Sequence, residues 1–193
     1  MTKILLARHG ETDWNRENRF QGHADPPLNA LGRAQARELA ERLAAEPIAA
    51  IFASPLQRAR ETAEIVAGPV GLAVELVEAL REVDVGSWSG LTRDEIAERF
   101  PDGYGRWLEY EHGWDDGESY EDLGERVVPA LLAIAERYDG RLILVVTHGG
   151  PIRAAYASAD GVSHGEARRS GALVGNCAFA RFAVERRQLR RID

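Results

Sequence analysis

The chain holds a single cysteine, Cys177, among its 193 residues. One thiol excludes an intrachain disulfide framework and a cysteine zinc cluster, and it agrees with a reducing compartment. Cys177 is read as a small buried hydrophobe. Lysine is equally scarce: Lys3 is the only one, so nearly all positive charge is arginine. Genomic base composition accounts for that skew as readily as function does. No apolar run approaches the length of a membrane span. Ile4 to Ala7, ahead of Arg8, are too few for the apolar core of a secretory signal, which makes the cytoplasm the expected location. A basic excess is also missing, since 24 Lys and Arg stand against 31 Asp and Glu for a net charge of −7. A nucleic-acid or acidic-membrane binder would carry the opposite sign, so neither partner is expected and any anion site must be local. Internal repeats, low-complexity segments and evident domain boundaries are absent as well, and the length suits one domain spanning 1–193.

What is present begins with ILLARHGETDWN, residues 4–15. Ile4 to Ala7 reads as a buried strand, and the chain turns polar at Arg8 and His9. A histidine at that break is placed to react, because open α/β sheets build their sites outside the carboxyl ends of strands. Gly10 is expected to let the backbone approach a ligand closely. DWNRENRFQGHADPPLN then reads as a long functional loop, rich in Asn, Asp, Gly and Pro. Asn29 precedes a helix whose Leu31, Ala34, Leu39 and Leu43 recur at helical spacing.

The unit repeats. IAAIFASP is a strand ending at Ser54-Pro55, followed by the helix LQRARETAEIVAG, and Val70 to Leu76 reads as a third, edge strand. A loop from Ala79 to Thr92 leads to a helix at Arg93 to Phe100. An aromatic, acidic stretch from Pro101 to Ser119 reads as part of a lid, with Tyr104, Trp107, Tyr110 and Trp114 forming its own small core and one of them a candidate for the pocket entrance. Tyr120 to Tyr138 is helical, and Leu142 to Val146 is the clearest strand, apolar throughout as a strand buried on both faces must be. His148 stands just past its end. Pro151 to Ala159 reads as helix, Asp160 to Gly171 as irregular, and Cys177 to Val184 as the final strand. Strand, break and helix in alternation predict an α/β fold with a parallel or mixed sheet covered by helices on both faces.

Arg8, His9, Arg58 and His148 thus fall at strand ends or near a helix start, with Glu82 in a loop. If the strands are neighbours, these groups converge. Arginine suits phosphate because its planar fork donates two parallel hydrogen bonds and keeps its charge. A neutral imidazole can attack phosphorus, and catalysis then needs charge neutralisation and protonation of the leaving oxygen, which Glu82 can supply. Asp84 is the competing carboxylate. His23, His112 and His164 read as surface or loop histidines.

ARHGETDWN, QGHADPPLNALGRAQA, ASPLQRARETA, LREVDVGSWSG and VVTHGGPIR, in that order, resemble the histidine phosphatase superfamily, in its phosphoglycerate mutase-like branch. The resemblance implies a three-layer αβα sandwich with a mostly parallel central sheet and a small cap at about 83–119. It implies that His9 is phosphorylated, that Arg8, Arg58 and His148 bind the phosphoryl group, and that Glu82 is the general acid and then the base. Asn15, Gln21, Gly22 and Gly149 would line the phosphate or substrate pocket, with Thr12 and Thr147 as neighbours. The implied partner is a small-molecule phosphate ester. No cofactor and no metal are expected, since a divalent cation beside two arginines would be repelled. Ser89 stands where the family commonly has glutamate, and Asp116 where proline is frequent; both bear on the cap.

The expected activity is metal-independent hydrolysis of small phosphomonoesters. The alternatives are a cofactor-dependent phosphoglycerate mutase, a narrow phosphatase for α-ribazole phosphate, phosphoserine or glucosyl-3-phosphoglycerate, and an inactive phosphate-binding module. Mutases of the superfamily are longer and carry extra basic residues after the acid glutamate, whereas here that segment is acidic. An acidic, aromatic cap is also compatible with a homodimer, although no exposed stripe in the sequence demonstrates one.

Overall fold

Alternation along the first strand sets the layering. In the computed structural model, which describes residues 1–171 and 174–192, β1 (Thr2–Arg8) sends Ile4 and Leu6 into one apolar cluster and Leu5 and Ala7 into another. A strand has a side-chain period of two, so the two clusters lie on opposite faces of the sheet. β2 (Ile48–Ala53) and β4 (Leu142–Thr147) divide their residues the same way. Continuous apolar runs in the sequence are therefore strands buried on both sides.

Including β3 (Val74–Leu76), β5 (Phe179–Glu185) and β6 (Gln188–Arg191), the six strands run in the order β3-β2-β4-β1-β5-β6. The β3-β2-β4-β1 part is parallel, and β5 and β6 are antiparallel additions at one edge. On the Leu5 face pack α2 (Ala30–Leu43) and α3 (Gln57–Val70), and on the Ile4 face α6 (Tyr120–Glu136) and α7 (Gly149–Asp160). This is the expected three-layer αβα sandwich. Shorter helices complete it: α1 (Asp13–Arg16), α4 (Arg93–Arg99), α5 (Pro101–Leu108) and α8 (His164–Arg169). Among the described residues no helix is long and apolar enough to cross a membrane.

Several local expectations are corrected. Leu31 is 52% exposed and Ala34 is exposed; α2 buries Gly32, Ala36, Leu39, Ala40 and Leu43 instead, a stripe rotated toward its small residues. Of the edge strand expected at Val70 to Leu76 only Val74–Leu76 forms, because α3 continues through Val70 to a left-handed Gly71 with φ +68°. The stretch from Asp160 to Gly171 is not irregular throughout, since Ser163 and Glu166 form a capping box that starts α8. The final strand is followed by a partner, β6. Its tight turn uses Arg186 and Arg187 at φ +50° and +62°, where the usual turn signal would be Asn-Gly.

Candidate active site

The register of β1 on β4 pairs Arg8 with Thr147, so the next residues, His9 and His148, leave the sheet side by side. Their ring centroids are 5.1 Å apart. Ala53 of β2 is level with Val146, which brings Ser54 alongside, and its hydroxyl lies 2.8 Å from Nε2 of His148. Just beyond, α3 carries Arg58 under the long loop after β1, where its guanidinium donates to the carbonyls of Ala24 and Gly22 at 2.8 and 2.9 Å. The adjacency of three parallel strands therefore places both histidines and both arginines at one carboxyl edge.

His9 is 2% exposed. Its Nδ1 lies 2.7 Å from the carbonyl of Gly10. A carbonyl only accepts, so Nδ1 is the N–H and Nε2 keeps its lone pair. Burial holds the imidazole well below the ordinary histidine pKa, and Arg58 and Arg8 push it the same way. The ring is thus neutral, with its tautomer fixed. Its backbone is clamped by the carbonyl of Thr147 and by Nδ2 of Asn176, at 3.0 and 2.9 Å. His148 is fully buried and held neutral by burial and by Arg58, with Nδ1 unpartnered among the described residues.

Arg8 and Arg58 have no carboxylate ion pair among the described residues, and the Nε of each is shielded from water without an acceptor. Burial lowers the pKa of Arg58 to about 10, and that of Arg8 also falls through burial. A buried guanidinium and a half-buried one, held by backbone carbonyls but without a carboxylate ion pair, are costly in isolation, and a bound anion relieves that cost.

Glu82 lies on the wall of the same cavity, whose volume is about 660 Å³. Its Oε1 accepts from the amides of Val83 and Gly150 at 2.9 and 3.0 Å, leaving Oε2 as the oxygen able to hold a proton. Arg126 fixes the segment by donating to the carbonyls of Ala79, Arg81 and Glu82 at 2.7, 2.9 and 2.8 Å, and it pairs with Glu118. Asp84 is occupied otherwise: it accepts from the Gly86 amide at 3.0 Å and does not line the cavity.

Arg8, Asn15, Gln21, Gly22, Arg58 and Gly149 also line the cavity, whereas His148 sits behind His9. Oδ1 of Asn15 and Oε1 of Gln21 both face the hydroxyl of Thr12 at 3.1 Å, so their NH2 groups remain as donors. Thr147 is a support, its hydroxyl donating to the carbonyl of Leu80 at 2.6 Å.

Other expectations change. Gly10 makes its close approach to Gly32 of α2, where an added Cβ would lie 2.5 Å from the carbonyl oxygen, so it serves packing of the loop on the helix rather than contact with a ligand. His164 is buried at 6% exposure and stacks on Tyr120 with centroids 3.9 Å apart. His23 is half-buried and donates from Nε2 to the carbonyl of Glu82 at 2.8 Å. Of the lid aromatics, Trp114 is buried, yet it and Trp107 both reach the cavity wall, as does Trp14. Gly150, Asn176, Arg126 and Arg153 were not legible as site residues. Asn176 reaches His9 across 167 positions, and only the antiparallel pairing of β5 with β1 brings it there.

The family and the fold are shared with known proteins. The family profile of the histidine phosphatase superfamily (branch 1) matches residues 4–192. Phosphoserine phosphatase 1 of Hydrogenobacter thermophilus is 37% identical over 164 residues, covering 84% of this chain and 78% of that protein. Among solved structures, Bacillus stearothermophilus YhfR superposes with a TM-score of 0.92 at 34% identity, over 99% of this chain and 95% of its own. A mycobacterial glucosyl-3-phosphoglycerate phosphatase gives 0.87 at 30% identity, over 97% and 95%. With a family profile that matches nearly its whole length and solved relatives that share its fold, the chain belongs to the histidine phosphatase superfamily, branch 1.

Proposed function

We propose that the chain hydrolyses small phosphomonoesters through a phosphohistidine at His9, with no divalent cation. The observation that carries this reading is the state of His9: a neutral imidazole, its Nδ1 proton committed to Gly10, between two arginines that lack carboxylate partners. Such a ring is a nucleophile beside a dianion hole.

In the first step Nε2 of His9 bonds to phosphorus, the bond from phosphorus to the ester oxygen breaks, and its electron pair leaves on that oxygen. Glu82, protonated at Oε2, gives the oxygen its proton, a contribution typically worth about 10²- to 10⁴-fold in rate. Arg8 and Arg58, with the NH2 groups of Asn15 and Gln21, neutralise the equatorial oxygens. In the second step the Glu82 carboxylate takes a proton from water, whose oxygen bonds to phosphorus as the bond to Nε2 breaks. Inorganic phosphate and neutral His9 result. Water as acceptor fits the segment 83–119, where ten carboxylates stand against three arginines and no lysine.

Release of phosphate from p-nitrophenyl phosphate in excess EDTA tests the reading. Activity that persists in EDTA and falls at least about 10³-fold in His9→Ala supports it. Activity that EDTA abolishes, or that His9→Ala retains, contradicts it.

A further inference from the structure

Tyr120 stands in the wall between two cavities. One is the catalytic cavity; the other, of about 560 Å³, lies between α6, α7 and α8 and contains none of the residues of the proposed phosphoryl transfer. Its volume is in the range that takes a small organic ligand. Along α6, Tyr120, Gly124 and Val128 recur every four residues and so share one face, with Glu121 and Glu125 in the adjoining row. Ala154 and Ala157 of α7, with Val162, supply further apolar wall.

Three features of this cavity have no explanation in packing. His164 lines it at 6% exposure, and neither ring nitrogen completes a hydrogen bond among the described residues, although the ring lies within reach of the Gly150 backbone. A neutral imidazole carries one N–H and one lone pair, and buried polar atoms without a partner are rare and costly. Gly124 stands inside α6, where glycine is less favourable than alanine. Its backbone is not left-handed, and a Cβ added to it would meet no atom within 4 Å. Neither conformation nor close approach calls for a glycine there; its missing side chain leaves the cavity wall open. Glu121 and Glu125 are both exposed, and their carboxylates make no hydrogen bond or ion pair among the described residues. Like charges one turn apart on a helix repel, and a cation between them relieves that.

The arrangement sets the orientation of an occupant. His164 stacks on Tyr120 at the start of α6, and Glu125 lies more than one turn further along the helix. Arg153 and Arg168 act on the His164 ring, so a cation is kept from that end and drawn to the glutamates. We propose that this cavity is a second ligand site, for a small organic amine with an apolar or aromatic body and a hydroxyl group at its far end. The ammonium sits between Glu121 and Glu125, the body covers Gly124, and the hydroxyl completes the hydrogen bonds of His164. No step of the phosphatase reading enters this assignment.

Calorimetry on the native protein tests it with three probes: tyramine, phenethylamine, which lacks the hydroxyl, and 3-(4-hydroxyphenyl)propionate, which carries a carboxylate in place of the ammonium. Tyramine is expected to bind about fivefold or more tighter than phenethylamine, the worth of one net hydrogen bond, and the propionate to give no binding. Gly124→Leu fills open space in the cavity and is expected to abolish tyramine binding without lowering Tm. Glu121→Gln with Glu125→Gln is expected to weaken tyramine about fivefold or more. His164→Phe is expected to bring the two amines within about twofold of each other. No binding of either amine at about 10 mM overturns the site, since that is weaker than any specific small-ligand site. Tyramine binding that survives Gly124→Leu, or propionate binding as tight as that of tyramine, overturns it too. So does a native dimer that Gly124→Leu converts to monomer in analytical ultracentrifugation, because a second copy would then fill the cavity. Should Gly124→Leu lose its near-UV circular dichroism, the paired glutamine variant, altered only at exposed positions, decides.

Discussion

The amide of Gly150 donates to Oε1 of Glu82 at 3.0 Å, and a methyl group on the α-carbon of Gly150 would collide with that same oxygen. The first turn of α7 therefore aims the proposed acid, and it can do so only without a side chain. Gly150→Ala is expected to lower kcat about 10²-fold or more while the fold is kept, since misplacing a general acid loses most of its contribution. Steady-state kinetics with circular dichroism checks this. An unchanged kcat would mean that Glu82 does not act from this position.

Arg126 holds the backbone segment that carries the Glu82 carboxylate. It joins three carbonyls and Glu118, a reach that needs the planar fork of a guanidinium. Arg126→Lys is expected to destabilise the protein by about 2 kcal/mol, since hydrogen bonds to charged groups are worth roughly 1.5–3 each and lysine recovers only part. It is also expected to lower kcat more than it raises KM. Urea unfolding together with kinetics separates the two effects, and a variant with native stability and native kcat would show the clamp to be dispensable.

The arginines without carboxylate partners give a ligand effect. Inorganic phosphate at about 100 times its dissociation constant is expected to add about 2.7 kcal/mol to stability. For a chain of this length that is about 5–11 °C in Tm. Arg58→Met is expected to abolish most of the shift. Differential scanning fluorimetry across phosphate concentrations measures it; a shift of equal size in Arg58→Met would place the anion elsewhere.

His9, His148 and His164 are all held neutral by burial, with the pKa of His164 lowered to about 3. Below about pH 6.5 the unfolded chain protonates these rings and the folded chain does not. The unfolded state then binds more protons, so stability is complete above that pH and declines as pH falls below it. Each ring contributes a slope of up to about 1.4 kcal/mol per pH unit. Neither ring nitrogen of His164 has a hydrogen-bond partner among the described residues, so His164→Phe keeps the stack on Tyr120 and removes one such slope. Urea unfolding between pH 6.5 and 5 is expected to show the shallower dependence. An identical slope would mean that His164 titrates within the fold.

Legibility in the sequence followed the range of the interaction. His9, Arg8, Arg58 and His148 stand out because each follows an apolar strand or opens the helix behind one, and strand adjacency then does the assembling. Glu82 could be preferred to Asp84 only through the family pattern; in the fold it is the hydrogen bond from Gly150 that sets Glu82 apart. Asn176, Arg126 and Arg153 look in sequence like any solvated polar residue, because the site residues they meet are far along the chain, 167 positions for Asn176 and His9 and 44 for Arg126 and Glu82. The β5–β6 hairpin was hidden for another reason, as two arginines occupy turn positions that Asn and Gly normally mark.

The phosphohistidine is the central claim, and trapping it is the most direct measurement. Native protein mixed with a phosphomonoester, quenched in alkali within the first turnover and digested, is expected to yield one phosphorylated peptide, modified at His9 and losing its phosphate in acid. His9→Ala is expected to yield none. Phosphate attached at another residue, or rapid hydrolysis with no trapped phosphoenzyme under conditions that accumulate it, would contradict the account.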